Sequence, residues 1–102
     1  MSTFDPDTAE KSMAPELTVE QRLEYVKAEQ GFIEELMEDA EDCKWVYQGL
    51  IECALIEAKL AGQLSDETNN SIRGWLGKLK KLDPLRIGRW KDTEAMLLDE
   101  NS

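Results

Sequence analysis

This sequence of 102 residues has no histidine and only two cysteines, Cys43 and Cys53. Without histidine the chain alone cannot assemble a Ser-His-Asp set or a Cys-His pair, and two cysteines are too few for a zinc cluster. If both cysteines lie on one helix, they are about 15 Å apart along its axis, too far for a disulfide. We therefore expect a reduced, cytoplasmic protein with no catalytic or metal-binding residues of its own.

Basic residues are also scarce. The chain has 12 Lys and Arg against 22 Asp and Glu, a formal net charge of −10. This balance argues against a nucleic-acid partner, because neutralising phosphates needs a basic surface. The charge is unevenly placed, since residues 1–42 carry 13 acidic and 3 basic side chains and residues 73–91 carry 7 basic and 1 acidic. The sequence is therefore dipolar.

A long uninterrupted apolar run is missing as well. The most apolar stretch, residues 42–61, contains Glu52 and Glu57, whereas a membrane-spanning helix needs about 20 predominantly apolar residues. The N-terminus lacks the basic and apolar parts of a signal segment, and the last residues hold no cysteine that could receive a lipid. We expect no membrane span and no lipid anchor.

Proline is rare and concentrated near the start. Residues 1–17 contain two of the three prolines, are polar and show no periodicity, which predicts a disordered leader. Residues 18–98 are predicted to form one helical domain, and residues 99–102 a short tail.

Four segments show helical periodicity and end signals. Thr18 and Gln21 have the form of a capping box, and Gly62 is placed as a C-cap. Asp83-Pro84 ends one helix and begins another, since aspartate suits the cap and proline the first helical position. The predicted helices cover residues 19–39, 43–61, 66–81 and 84–98. No glycine or proline separates the first two, so a single continuous helix across both is the alternative.

The second predicted helix is apolar around most of its circumference. Its polar side chains Lys44, Gln48, Glu52 and Lys59 fall in one narrow strip, so its remaining surface needs cover from neighbours in this chain or from a partner. We expect this cover to be incomplete in the isolated chain, leaving an exposed apolar patch. Four helices with short connections favour antiparallel neighbours, hence two helical hairpins.

Two stretches resemble a known family. Glu38 to Trp45 (EDAEDCKW) and Leu79 to Arg86 (LKKLDPLR) are similar to the alpha subunit of protein prenyltransferases, most closely to the C-terminal end of the fungal type of Rab geranylgeranyltransferase (type II) alpha subunit. The resemblance covers about residues 18–98. The family's arginine a few residues after the tryptophan is missing here, and its upstream hairpins are replaced by residues 1–17.

The resemblance implies an alpha-alpha superhelix of tetratricopeptide-like hairpins that supports a prenyltransferase beta subunit. The chain would be a non-catalytic part of an enzyme that transfers geranylgeranyl to the C-terminal cysteines of Rab proteins. Zinc and geranylgeranyl diphosphate would belong to the beta subunit. A Rab protein with its escort protein would be a further partner. The alpha subunit shared by farnesyltransferase and type I geranylgeranyltransferase is an alternative, and so is a stand-alone helical interaction module without a catalytic role.

Five residues are candidates for contact with a partner. They are Trp45, Tyr47, Arg86, Arg89 and Trp90. For both tryptophans the alternative is a place in this chain's own core, because a large aromatic side chain suits either role. For the basic segment, residues 73–91, the alternative is internal compensation of the acidic first helix.

Overall fold

All regular structure in the described part of the chain, residues 6–40 and 42–98 of a computed structural model, is helical. Its elements are α1 (Pro6–Ser12), α2 (Val19–Asp39), α3 (Lys44–Ala61), α4 (Asp66–Leu82), a 3-10 turn (Pro84–Arg86) and α5 (Ile87–Leu98). The prediction of an all-α protein is confirmed. Residues 1–5 of the predicted leader and the predicted tail, residues 99–102, lie outside the described residues.

Local side-chain caps fix where the long helices begin and end. At the start of α2, the Gln21 amide donates to Thr18 Oγ1 over 3.1 Å and the Thr18 amide donates to Gln21 Oε1 over 2.9 Å, which is the predicted capping box. Ser65 caps α4 by accepting from the Thr68 amide over 3.4 Å. Gly62 closes α3 in the left-handed conformation, at φ 82°, where glycine has no steric penalty.

Helices α2 and α3 are separate rather than continuous. The backbone leaves helical geometry at Ala40, with φ −141° and ψ 49°, and becomes helical again at Lys44. Glu38 and Asp39 oppose the negative end of the α2 dipole, which weakens the helix where the break occurs. The two helices can therefore fold back on each other as a hairpin.

The short helix α1 occupies residues for which the sequence predicts disorder. Pro6 is its first residue, a position where proline costs nothing because its missing N–H would have no intrahelical partner. Thr8 and Ser12 are buried; Thr8 donates to Glu29 on α2 over 3.5 Å and Ser12 donates to the Ala9 carbonyl over 2.8 Å. Contacts with α2 thus order this part of the predicted leader.

The hydrophobic core is centred on α3, which packs against α2 on one side and α4 on the other. The outer helices extend the series, because α1 packs against α2 and α5 packs against α4. Buried core residues come from four helices: Val26 and Ile33 from α2; Val46, Tyr47, Leu50, Ile51, Cys53 and Ala54 from α3; Ile72, Trp75, Leu76 and Leu79 from α4; and Trp90 from α5.

Neighbours within the chain supply most of the cover that α3 needs. Leu50 and Ile51 are fully buried, while Leu55, Ile56 and Leu60 near its C-terminal end are half-buried. The large exposed apolar side chains lie on other elements instead: Met13, Val19, Tyr25, Phe32, Leu36, Leu85, Ile87 and Met96. The apolar surface expected on the central helix is therefore mainly on α2 and around the last connection.

Candidate protein-binding site at the Asp83 corner

Asp83 is a buried carboxylate at the junction of α4 and the 3-10 turn. Its Oδ1 lies 3.7 Å from Lys44 Nζ, and its Oδ2 lies 3.9 Å from Arg86 Nη1. The carboxylate therefore ties the first residue of α3 to the connection between α4 and α5. Asp83 does hold the predicted N-cap position, but its side chain makes no capping hydrogen bond.

The connection after Asp83 presents Leu85 to solvent. Residues Pro84–Arg86 form a 3-10 turn rather than the start of an α-helix, and the Arg86 amide donates to the Asp83 carbonyl over 3.2 Å. At this turn Leu85 is 97% exposed, and Ile87 beside it is 40% exposed. A short 3-10 turn thus holds an apolar side chain out from the body of the protein.

Two tryptophans, one at the start of α3 and one in α5, each have a basic side chain over the ring. Lys44 Nζ lies 4.7 Å from the centroid of the Trp45 ring, and the Arg89 guanidinium lies 5.2 Å from the Trp90 ring. Both distances are within the range of a cation–π attraction. Contacts join Lys44 with Trp45 and Asp83, and Asp83 with Arg86. We define the Asp83 corner as these four residues together with Leu85 of the 3-10 turn and Arg89 on the first turn of α5.

The five residues predicted to contact a partner have two different placements. Arg86 and Arg89 are exposed and Trp45 is half-buried, so these three contribute surface to the Asp83 corner. Tyr47 and Trp90 are buried in the core of this chain, with 3% and 2% of their surface exposed. Their large aromatic side chains fill the chain's own interior, which is the alternative that the sequence left open for Trp90.

Sequence reasoning missed Leu85 and the pairing of Lys44 with Asp83. The sequence places Leu85, directly after Asp83-Pro84, in a predicted α-helix, whereas the 3-10 turn directs its side chain outward. Lys44 and Asp83 are 39 positions apart, and neither local sequence predicts that the two side chains form an ion pair. The basic residues beside tryptophans, at Lys44-Trp45 and Arg89-Trp90, correspond to the two cation–π contacts and gave no signal for either feature.

A second polar cluster, the Glu57 junction, joins α2, α3 and α4 at the opposite end of the helices. Lys27 Nζ lies 2.7 Å from Glu57 Oε2 and 3.0 Å from both Ser65 Oγ and Thr68 Oγ1. Glu57 is buried and its Oε2 also accepts weakly from the Ser65 amide, over 3.4 Å. Because Lys27, Glu57, Ser65 and Thr68 contact one another, although Glu57 Oε1 is buried without a hydrogen-bond partner, we assign the cluster a structural role.

The two cysteines differ in their surroundings. Cys53 is fully buried, and this burial raises the pKa of its thiol far above the usual range, with the carboxylates of Glu29 and Glu52 adding to the effect. A thiol is nucleophilic as the thiolate, so Cys53 is unreactive in the folded protein. Cys43 is half-buried at the N-cap of α3 and, like Cys53, is a free cysteine.

Neither family models, nor curated proteins, nor solved structures gave a match to this chain. No helix within residues 6–40 and 42–98 is long and apolar enough to cross a membrane. The observations therefore define an all-α protein with an exposed basic and apolar corner.

Proposed function

We propose that this chain is a helical scaffold that binds another protein through the Asp83 corner, and that the partner is a prenyltransferase beta subunit. In this role the chain is a non-catalytic part of a Rab geranylgeranyltransferase in the cytoplasm. The beta subunit carries the zinc and the geranylgeranyl diphosphate. A Rab protein with its escort protein binds to the assembled enzyme.

The observation that carries the proposal is the exposure of Leu85 on a supported turn. An apolar side chain that is almost fully exposed contributes nothing to the core, but it can become a buried contact when a partner covers it. Arg86 and Arg89 beside it supply charge for a polar rim, and arginine is enriched in protein interfaces.

The position of the resembling stretches supports the choice of partner. Lys44-Trp45 belongs to one stretch and Asp83 to Arg86 to the other, and these two parts of the sequence meet through the Lys44–Asp83 ion pair. The two stretches that carry the resemblance therefore contact each other at the Asp83 corner. The finer form of the fold, an alpha-alpha superhelix of hairpins, belongs to the same proposal and agrees with the serial packing of α2 to α5.

Co-purification with the beta subunit of a fungal Rab geranylgeranyltransferase tests the proposal. We expect the two chains to elute as one complex, and Leu85→Asp to weaken it tenfold or more because a buried leucine becomes a buried charge. Met96→Asp is the matched control, since Met96 is also an exposed apolar residue but lies near the far end of α5. Absence of any complex, or equal weakening by both variants, would contradict the proposal.

A stand-alone interaction module is the second candidate. It is favoured by the core itself, since α2, α3, α4 and α5 together bury thirteen hydrophobic side chains within this chain. A folded chain that binds no beta subunit would favour this candidate. Under either candidate, the chain incubated alone with geranylgeranyl diphosphate and a Rab acceptor is expected to transfer no lipid. Lipid transfer by the chain alone would contradict both candidates.

A further inference from the structure

The outer side of α2 carries an apolar stripe that the core does not use. Tyr25, Phe32 and Leu36 are exposed by 43%, 56% and 37%, and their spacing of seven and four residues places them on one face of the helix. The buried residues Val26 and Ile33 lie on a different face, turned about a quarter of the circumference away. The stripe is therefore separate from the contact between α2 and α3.

A surface pocket of about 430 Å³ opens at the N-terminal end of this stripe. We call it the Tyr25 pocket; its lining residues are Leu17, Gln21, Glu24, Tyr25 and Ala28. Leu17, Tyr25 and Ala28 supply apolar surface. Glu24 gives the pocket an acidic edge, which Glu35 and Asp39 continue along the same side of α2.

The Asp83 corner is complementary to this pocket in shape and in charge. Leu85 is an apolar projection, whereas the Tyr25 pocket is an apolar depression. Arg86 and Arg89 are exposed basic residues beside the projection, whereas Glu24 is an acidic residue at the edge of the depression. The Tyr25 pockets of two copies cannot pair with each other, because both are depressions and their acidic edges repel.

The two surfaces lie at opposite ends of the molecule. The Tyr25 pocket lies on the N-terminal half of α2, the half whose Lys27 meets the C-terminal part of α3 and the start of α4. The Asp83 corner follows the end of α4, a helix of 17 residues and therefore about 25 Å long. Leu85 cannot reach the pocket of its own chain, so the two surfaces can only meet between two copies.

We infer that this chain associates head to tail with itself, Leu85 of one copy entering the Tyr25 pocket of the next. Such a contact joins two different surfaces, so it does not close into a symmetric dimer and can continue into longer chains of subunits. The contact area is small and the net charge of −10 adds repulsion, so the association is weak and grows with protein concentration. The same use of Leu85 makes self-association compete with the proposed partner.

Sedimentation velocity of the purified chain tests this inference. At about 0.15 M salt, where repulsion beyond about 8 Å is screened, we expect the average mass to rise past that of a dimer between micromolar and millimolar concentration. Leu85→Asp removes the projection, and Ala28→Lys fills the pocket and adds a positive charge. Each variant should weaken association tenfold or more, while the control Met96→Asp should not.

Mixing the two variants gives the decisive result. Leu85→Asp keeps an intact pocket and Ala28→Lys keeps an intact projection, so an equimolar mixture should form heterodimers and nothing larger. Glu24→Arg is a second pocket variant, and circular dichroism checks that every variant is folded. A wild-type chain that stays monomeric, or a mixture that stays monomeric, would overturn the inference.

This result is independent of the proposed partner. Leu85→Asp is expected to weaken both self-association and binding of the beta subunit tenfold or more, whereas Ala28→Lys is expected to weaken self-association alone. Self-association without binding of the beta subunit would reject the proposed function and retain the inference. Binding of the beta subunit without self-association would retain the proposed function and reject the inference.

Discussion

Glu57 is a buried carboxylate that forms an ion pair with Lys27. Only 3% of its side chain is exposed, and Lys27 Nζ approaches it to 2.7 Å while remaining 39% exposed itself. Removing one member of a buried pair costs more than removing both, because the remaining charge stays in a poorly solvating site. The Glu57 junction should therefore be sensitive to the loss of Lys27.

We predict that Lys27→Met lowers the free energy of unfolding by about 2–3 kcal/mol, somewhat less than for a fully buried pair because Lys27 is partly in water. Urea denaturation measures this. Lys78→Met, at an exposed lysine of α4, is the matched control and should change stability by less than about 0.5 kcal/mol. The double variant Lys27→Met/Glu57→Gln should recover part of the loss. Equal effects of Lys27→Met and Lys78→Met would show that the Glu57 junction does not stabilise the fold.

The sequence predicted poorly which individual polar residues are buried. The narrow polar strip predicted on the central helix includes Gln48, which is buried, and Lys44, which pairs with Asp83. Helical periodicity reports which side chains share a face, but not which neighbouring helix covers that face. The Glu57 junction depends on residues from three helices, so no single segment predicts it.

At the scale of the helix, the predictions held where a local interaction sets the boundary. The capping box at Thr18 and the left-handed Gly62 are decided within a few residues, and α2 has the bounds predicted for it. Helix α1 differs because its order depends on contacts with α2, including the bond from Thr8 to Glu29. A seven-residue helix is too short to be stable by itself, so its sequence gives a weak signal.

Two glycines provide a test of helix energetics with opposite expected signs. Gly62 has φ 82°, so Gly62→Ala should lower the free energy of unfolding by about 1 kcal/mol. Gly31 lies inside α2, and a Cβ added there would meet nothing within 4 Å. Gly31→Ala should therefore raise stability by about 0.5–1 kcal/mol through better helix propensity. Thermal or urea denaturation of both variants checks this, and a loss of stability in Gly31→Ala would reveal a contact at Gly31.

At the scale of the whole molecule, the order of the helices could be predicted but the candidate site could not. Short connections predict antiparallel neighbours, and this is enough to place α3 between α2 and α4. The Asp83 corner requires the start of α3 to meet the end of α4 at a particular rotation and height. Those depend on the packing of the whole core, and the outward position of Leu85 depends further on the 3-10 geometry of its turn.

The serial packing predicts a gradient of local stability. Helix α3 contributes the largest share of the buried core and has a helix on either side, whereas α1 packs mainly against α2 and α5 mainly against α4. We predict that native-state amide exchange is slowest in α3, intermediate in α2 and α4, and fastest in α1 and α5, with about 2 kcal/mol or more between centre and ends. Equal protection in α1 and α3 would contradict this.

The same arrangement has a consequence for how the chain reaches its native state. Each major helix contact joins consecutive segments, so folding closes short loops and pays little entropy before contacts form. Proteins dominated by such local contacts fold within microseconds to milliseconds. The hairpin of α2 and α3 can therefore form before α4 and α5 pack onto it, and the Asp83 corner, which needs the end of α4 and the start of α5, is completed last.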